Sequence, residues 1–141
     1  MIRAIAREKP ALCFFLGDGE RDLVQVQSRY PALPFYAVRG NCDWRSALSA
    51  SIVCTVGGVC IFATHGHLYE VKHEPNLDSL LRAAEEAGAS LALFGHTHLP
   101  CLEERGGITL LNPGSIGRSA RPGYALLSLD GGSVKAEPKT V

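Results

Sequence analysis

The chain alternates between short apolar runs and polar breaks that carry glycine. Ala11-Leu12-Cys13-Phe14-Phe15-Leu16 is apolar at every position and ends in Gly17-Asp18-Gly19-Glu20. A run of that length, bounded by Pro10 and a glycine turn, predicts a buried strand. Phe35-Tyr36-Ala37-Val38 repeats the pattern and ends in Gly40-Asn41-Cys42-Asp43. Leu91-Ala92-Leu93-Phe94 does so again and ends in Gly95-His96-Thr97-His98. Residues 1–9 read as the last turns of a helix stopped by Pro10. Residues 21–29 set Leu23 and Val26 on one side, which predicts a second helix broken by Pro31 and Pro34. Ile52–Val56 and Val59–Ala63 flank Gly57-Gly58, a hairpin signature, and the second strand runs into Thr64-His65-Gly66-His67. A third helix is expected through Leu77, Leu80, Leu81 and Ala84, capped by Asn76 or Asp78 and stopped by Gly88. Two more hairpins turn at Gly106-Gly107 and Gly131-Gly132, with Asn112-Pro113-Gly114-Ser115 read as the turn between them.

Strand–helix units come first and hairpins later. An α/β fold with two facing sheets and helices outside accommodates both halves. No repeat or linker divides the chain, so residues 1–141 are expected to form one domain.

Composition narrows the function classes. Formal net charge is zero, from 14 basic and 14 acidic side chains. An extended nucleic-acid footprint needs clustered positive charge and is not expected. No apolar run approaches the ~18 residues of a membrane span, and the charged start does not read as a signal peptide. The five cysteines include no Cys-x-x-Cys pair. Cys13, Cys54 and Cys60 lie in apolar runs and are expected to act as small core residues in a reducing cytoplasm.

The chemistry gathers at four strand ends: Gly17-Asp18, Gly40-Asn41, His65-Gly66 and Gly95-His96-Thr97-His98. Loops at one edge of a sheet layer are where function collects. Taken singly, Asp18 and Asn41 are ordinary turn residues and the two histidines an ordinary surface pair. Taken together they offer carboxylate, carboxamide and imidazole, a mixed O/N set suited to Mn²⁺, Fe²⁺, Ni²⁺ or Zn²⁺. On an extended segment His96 and His98 point to the same side, toward one metal or two neighbouring ones.

The order Gly-Asp, Gly-Asn-x-Asp, His-Gly, Gly-His-x-His resembles the calcineurin-like metallophosphoesterase superfamily. Thr64-His65-Gly66-His67, Asn41-Cys42-Asp43 and Asn112-Pro113-Gly114-Ser115 are most similar to its small bacterial and archaeal phosphodiesterase branch, the YfcE type. The resemblance runs from about residue 11 onward. It implies a β-sandwich flanked by helices, two divalent transition metals, and hydrolysis of a small phosphodiester substrate by a metal-activated water. Carried over, Asp18 would bridge the two metals. Asn41, His65 and His96 would complete the second position, and His98 would belong to the first.

The family pattern opens with a strand ending in Asp-x-His, and no such motif precedes Gly17-Asp18. The first position therefore keeps two groups and the second four, so one firmly held metal is expected. The missing strand is also expected to leave open ladder edges, covered by a homo-oligomer. Cys42 stands where most of the superfamily has a histidine that protonates the leaving oxygen; a general acid and a small residue that merely fits are both open readings. Asp43 is a catalytic candidate, read as an orienting group. His67 either lines the pocket or caps a turn. Arg118 and Arg121 are candidates to meet an anionic substrate, with Arg121 the chosen one. Trp44 is expected to pack under the metal loop, and His73 to be solvated. The alternative to an enzyme is a non-catalytic binding or scaffold protein on the same fold, as the family's retromer subunit implies.

Overall fold

The computed structural model describes residues 1–117 and 119–141. At its centre is a five-stranded sheet of β3 (Ser51–Val56), β4 (Val59–Thr64), β5 (Leu91–Leu93), β6 (Pro100–Arg105) and β7 (Ile108–Pro113), in the order β3-β4-β5-β7-β6. The inner three are parallel, with Ile61 opposite Leu91 and Leu91 opposite Thr109. The edge strands β3 and β6 are the antiparallel arms of the two glycine hairpins. β5 is buried at all three positions, as a central parallel strand covered on both faces must be.

Alternation along these strands supplies two cores. Phe62, Ala92 and Leu110 face one way, onto Leu80 and Ala84 of α3 (Asp78–Glu86). Ile61, Leu91, Leu93 and Leu111 face the other way, onto a second layer of strands. That layer is two separate ladders. β1 (Cys13–Phe15) pairs in parallel with β2 (Phe35–Ala37), and β8 (Gly123–Asp130) pairs antiparallel with β9 (Ser133–Thr140). The helices α1 (Ile2–Glu8) and α2 (Glu20–Arg29) bury Ile5, Leu23 and Val26. The expected facing layers with flanking helices are present, and the second layer is split.

Two local expectations are corrected. Neither Asn76 nor Asp78 caps α3. The chain enters that helix through Leu77, buried in a left-handed conformation (φ 53°). This entry brings Glu74 to the helix start, where its carboxylate accepts from Ser79 N–H at 2.7 Å and Ser79 Oγ–H at 2.6 Å. Asn112 and Pro113 are still strand, paired with Cys101 and Pro100, because β6 runs long enough to hold them. No disulfide is formed among the described residues, and Cys13, Cys54 and Cys60 are partly buried. Among the described residues, no helix is long and apolar enough to cross a membrane.

Candidate metal centre

The ends of β1, β2, β4 and β5 deliver their side chains to one place. His65, at the end of β4, is 2% exposed. Its Nδ1 lies 2.6 Å from the Leu16 carbonyl, which only accepts, so Nδ1 carries the proton. Nε2 is left as a lone pair with a fixed direction. Around Nε2 stand Asn41 Oδ1 at 3.1 Å, His96 Nδ1 at 3.1 Å and Asp18 Oδ2 at 3.3 Å. Ligand atoms sharing one ion with bonds of about 2.0–2.1 Å lie roughly 3.0–3.4 Å apart. Spacing and donor type therefore fit a first-row divalent ion.

Electrostatics favour the ligand form of His96. Burial, Lys72, His65 and His67 together hold its pKa down at about 4, so the imidazole is neutral at physiological pH. His67 lies beside it, its ring centroid 5.4 Å from that of His65 and 6.1 Å from that of His96. Burial pushes the His67 pKa down as well, with the neighbouring His65 adding to it. The His67 Nδ1 is buried without a hydrogen-bond partner, and His67 stands behind the cleft lining, against the rings of His65 and His96, rather than in it.

The loops are held by close backbone contact. Asp18, His96 and His98 adopt left-handed φ of 60°, 66° and 60°. Such conformations cost about 1–3 kcal/mol each in non-glycine residues and collect at functional sites. Gly17 and Gly40 touch: a Cβ on Gly40 would stand 2.0 Å from Asp18 Oδ1, and one on Gly17 2.8 Å from His65 Nδ1.

Asp43 ties the first two loops together. Its Oδ2 accepts from Asp18 N–H and Gly40 N–H, each at 2.8 Å. Its Oδ1 accepts from Gly19 N–H at 3.0 Å and Glu20 N–H at 3.2 Å, at the start of α2. Burial alone would raise its pKa; the four amide donors outweigh this and hold it low. With both oxygens committed to backbone, Asp43 holds the Asp18 and Gly40 loops together. Asn112 was read only as a turn residue. It is fully buried, and its amide donates to the Gly95 carbonyl at 2.9 Å and Thr97 Oγ1 at 3.0 Å, holding the His96 loop from beneath.

The remaining candidates sit at the rim or away from it. Cys42 is exposed, and its N–H donates to Asp18 Oδ1 at 2.8 Å. His98 is exposed and lines the same cleft, but the compact metal-ligating group is Asp18, His65 and His96. Arg121 is exposed and is not among the residues that line the cleft. Arg118 lies outside the described residues. Trp44 is 91% exposed at the cleft mouth rather than packed beneath the loop. His73 is exposed, as expected.

The calcineurin-like phosphoesterase superfamily domain matches residues 1–132. The chain belongs to this superfamily. It is 36% identical over 137 residues to the probable metallophosphoesterase YsnB of Bacillus subtilis, covering 92% of this chain and 76% of YsnB. It is 36% identical over 88 residues to the phosphodiesterase YfcE of Escherichia coli, covering 57% of this chain and 43% of YfcE. Among solved structures, a Streptococcus pneumoniae protein described as a predicted phosphoesterase superposes with TM-score 0.80 at 30% identity, over 98% of this chain and 79% of that one. Vps29 of Entamoeba histolytica has the same fold, with TM-score 0.73 at 23% identity over 92% of this chain and 82% of that one. The superfamily binds divalent metals, and the Asp18, His65, His96 group is where this member has the donors for one.

Proposed function

We propose that the chain is a metal-dependent hydrolase of phosphate esters, of phosphodiesterase type. The observation that carries this reading is the convergence of Asp18, Asn41 and His96 on the fixed Nε2 lone pair of His65. A divalent transition ion held there, Mn²⁺, Fe²⁺, Ni²⁺ or Zn²⁺, would polarise a phosphoryl oxygen and make water a nucleophile near neutral pH. His65 is the fixed member, set by Leu16. Asp18 offers Oδ2 while Cys42 N–H holds Oδ1, so its carboxylate does not swing. His96 is neutral and needs no deprotonation to serve as ligand. Lys72, on the cleft wall, sets a positive charge where a phosphate anion would arrive. The Cys42 thiol sits at the rim as a candidate donor to the leaving oxygen. Among the described residues the first metal position is offered Asp18 and His98, fewer than the three protein ligands usual in catalytic zinc sites. One firmly held ion is the expected state. Cysteines that lie apart in apolar runs, Cys13, Cys54 and Cys60, support a reducing compartment, the cytoplasm.

A binding or scaffold role is the second reading. It is favoured by the position of His98, apart from the compact group. Two measurements separate the readings: metal content of the purified chain, and hydrolysis of bis-p-nitrophenyl phosphate with added Mn²⁺. We expect about one ion per chain, and a loss of roughly a hundredfold or more in rate for His96→Ala. Equal rates for the two proteins would remove the hydrolase reading. Tight metal binding with no turnover in the unaltered chain would establish the binding role instead.

A further inference from the structure

Lys72 stands apart from the other lysines of the chain. Lys135 and Lys139 pair with Glu137, and Lys9 ends α1. Lys72 alone lines the cleft, together with His65 and His96. Backbone fixes its place. The Glu70 carbonyl accepts from His73 N–H at 2.7 Å and Glu74 N–H at 2.9 Å, which closes a tight turn with Lys72 inside it. Val71, buried next to it, anchors that turn on the metal loop: a Cβ on Gly66 would stand 2.9 Å from Val71 Cγ2. The acidic residues nearby do not neutralise Lys72. Glu74 is spent on Ser79, and Asp43 on four amides. None of the ion pairs among the described residues includes Lys72.

Apart from the neighbouring histidines, Lys72 and Asp18 are the charges felt at the His96 ring. Asn41, His65 and His96 offer neutral donors, so the carboxylate of Asp18 offsets one of the two charges of a divalent ion at the centre. Lys72 adds a further positive charge. A simple phosphodiester brings one negative charge, which the ion meets, and Lys72 is left unmatched. An unpaired ammonium fixed beside a phosphate site favours a second anion. We propose that Lys72 selects phosphodiesters that carry a second anionic group, a carboxylate or a phosphate, on the alcohol that stays attached to phosphorus. Its compact ammonium donates in three directions and suits either anion. In this role Lys72 determines specificity; it neither holds the ion nor moves a proton.

The inference rests on the hydrolase reading for its scissile phosphate, so turnover and binding are measured apart. Three p-nitrophenyl phosphodiesters, whose second alcohol is glycolate, ethanol or choline, share one leaving group and differ in charge. With the Mn²⁺-loaded chain, kcat/KM should fall in that order, by about tenfold from end to end. Lys72→Met should level the series to within about twofold, chiefly by slowing the glycolate ester, and Lys72→Arg should keep the order. Arg45→Met removes a cation from another part of the lining and should leave the series as it was. A flat series in the unaltered chain, one that survives Lys72→Met, or one that collapses with Arg45→Met would overturn the proposal. Binding is read on the Zn²⁺-loaded chain after reductive methylation with carbon-13 formaldehyde, which keeps lysine charged. The probes are the methyl phosphodiesters of glycolate and of ethanol, which lack a good leaving group. The glycolate diester should shift the Lys72 resonance, assigned by its loss in Lys72→Arg, and leave those of Lys9, Lys135 and Lys139 in place; the ethyl diester should shift none. That shift without turnover of any ester would remove the hydrolase reading and keep the Lys72 assignment. Its absence would overturn the assignment even in an active enzyme.

Discussion

Gly40 is the tightest point of the candidate centre. A methyl group there would stand 2.0 Å from Asp18 Oδ1 and 2.5 Å from Asp18 N. Gly40→Ala must push the Asn41 loop away from Asp18, and with it the Asp43 carboxylate that accepts from both loops. The expected result is at least a tenfold loss of Mn²⁺ affinity by isothermal titration calorimetry with the fold retained; unchanged affinity would mean that the two loops need not touch. The ligand types at these positions were legible in the sequence because each closes an apolar run and stands beside a glycine. The supports were not. Asp43 and Asn112 act by hydrogen bonds to amides and carbonyls far away in the chain, such as Asp43 to Asp18 and Asn112 to Gly95. No spacing rule encodes a bond across 25 or 17 residues.

Each strand of the central sheet was visible as an apolar run or a glycine hairpin, and the structure extends most of them by one to three residues. Edge pairing carries β6 and β7 past the apolar run, as Pro100 opposite Pro113 illustrates. The helix α3 was legible from Leu80 and Ala84, both fully buried against Phe62, Ala92 and Leu110. Its cap was not, because the capping carboxylate comes from Glu74, before the left-handed Leu77. Leu80→Ala removes a side chain with no solvent exposure and leaves a cavity against β4 and β5. A loss of about 2–5 kcal/mol is expected, read from urea denaturation midpoints at constant slope. A loss under about 0.5 kcal/mol, the range of surface changes, would mean that this face is loosely packed.

For the molecule as a whole, the buried imidazoles couple stability to acid. His96 binds its proton near pH 4, against an ordinary value of 6.5, and His67 is shifted in the same direction. Below pH 6.5 the unfolded chain therefore takes up protons that the folded chain refuses, and stability falls with pH through this window. Asp43, held below its ordinary 3.8, adds a further loss as pH falls beneath that value. In the presence of a chelator, the thermal midpoint should decline steadily from pH 7 to pH 4; a flat profile would mean that His96 and His67 stay accessible to water. At this scale the facing layers were readable from strand alternation. The split of the second layer agrees with the open ladder edges expected from the family pattern, since among the described residues β1 and β8 each use one edge.

The left-handed backbone at Asp18, His96 and His98 has an evolutionary side. Glycine would adopt those angles without cost, so each side chain is kept against a standing bias toward its own loss. At these three places the candidate ligands are thus held at a local cost in backbone energy that glycine would not incur.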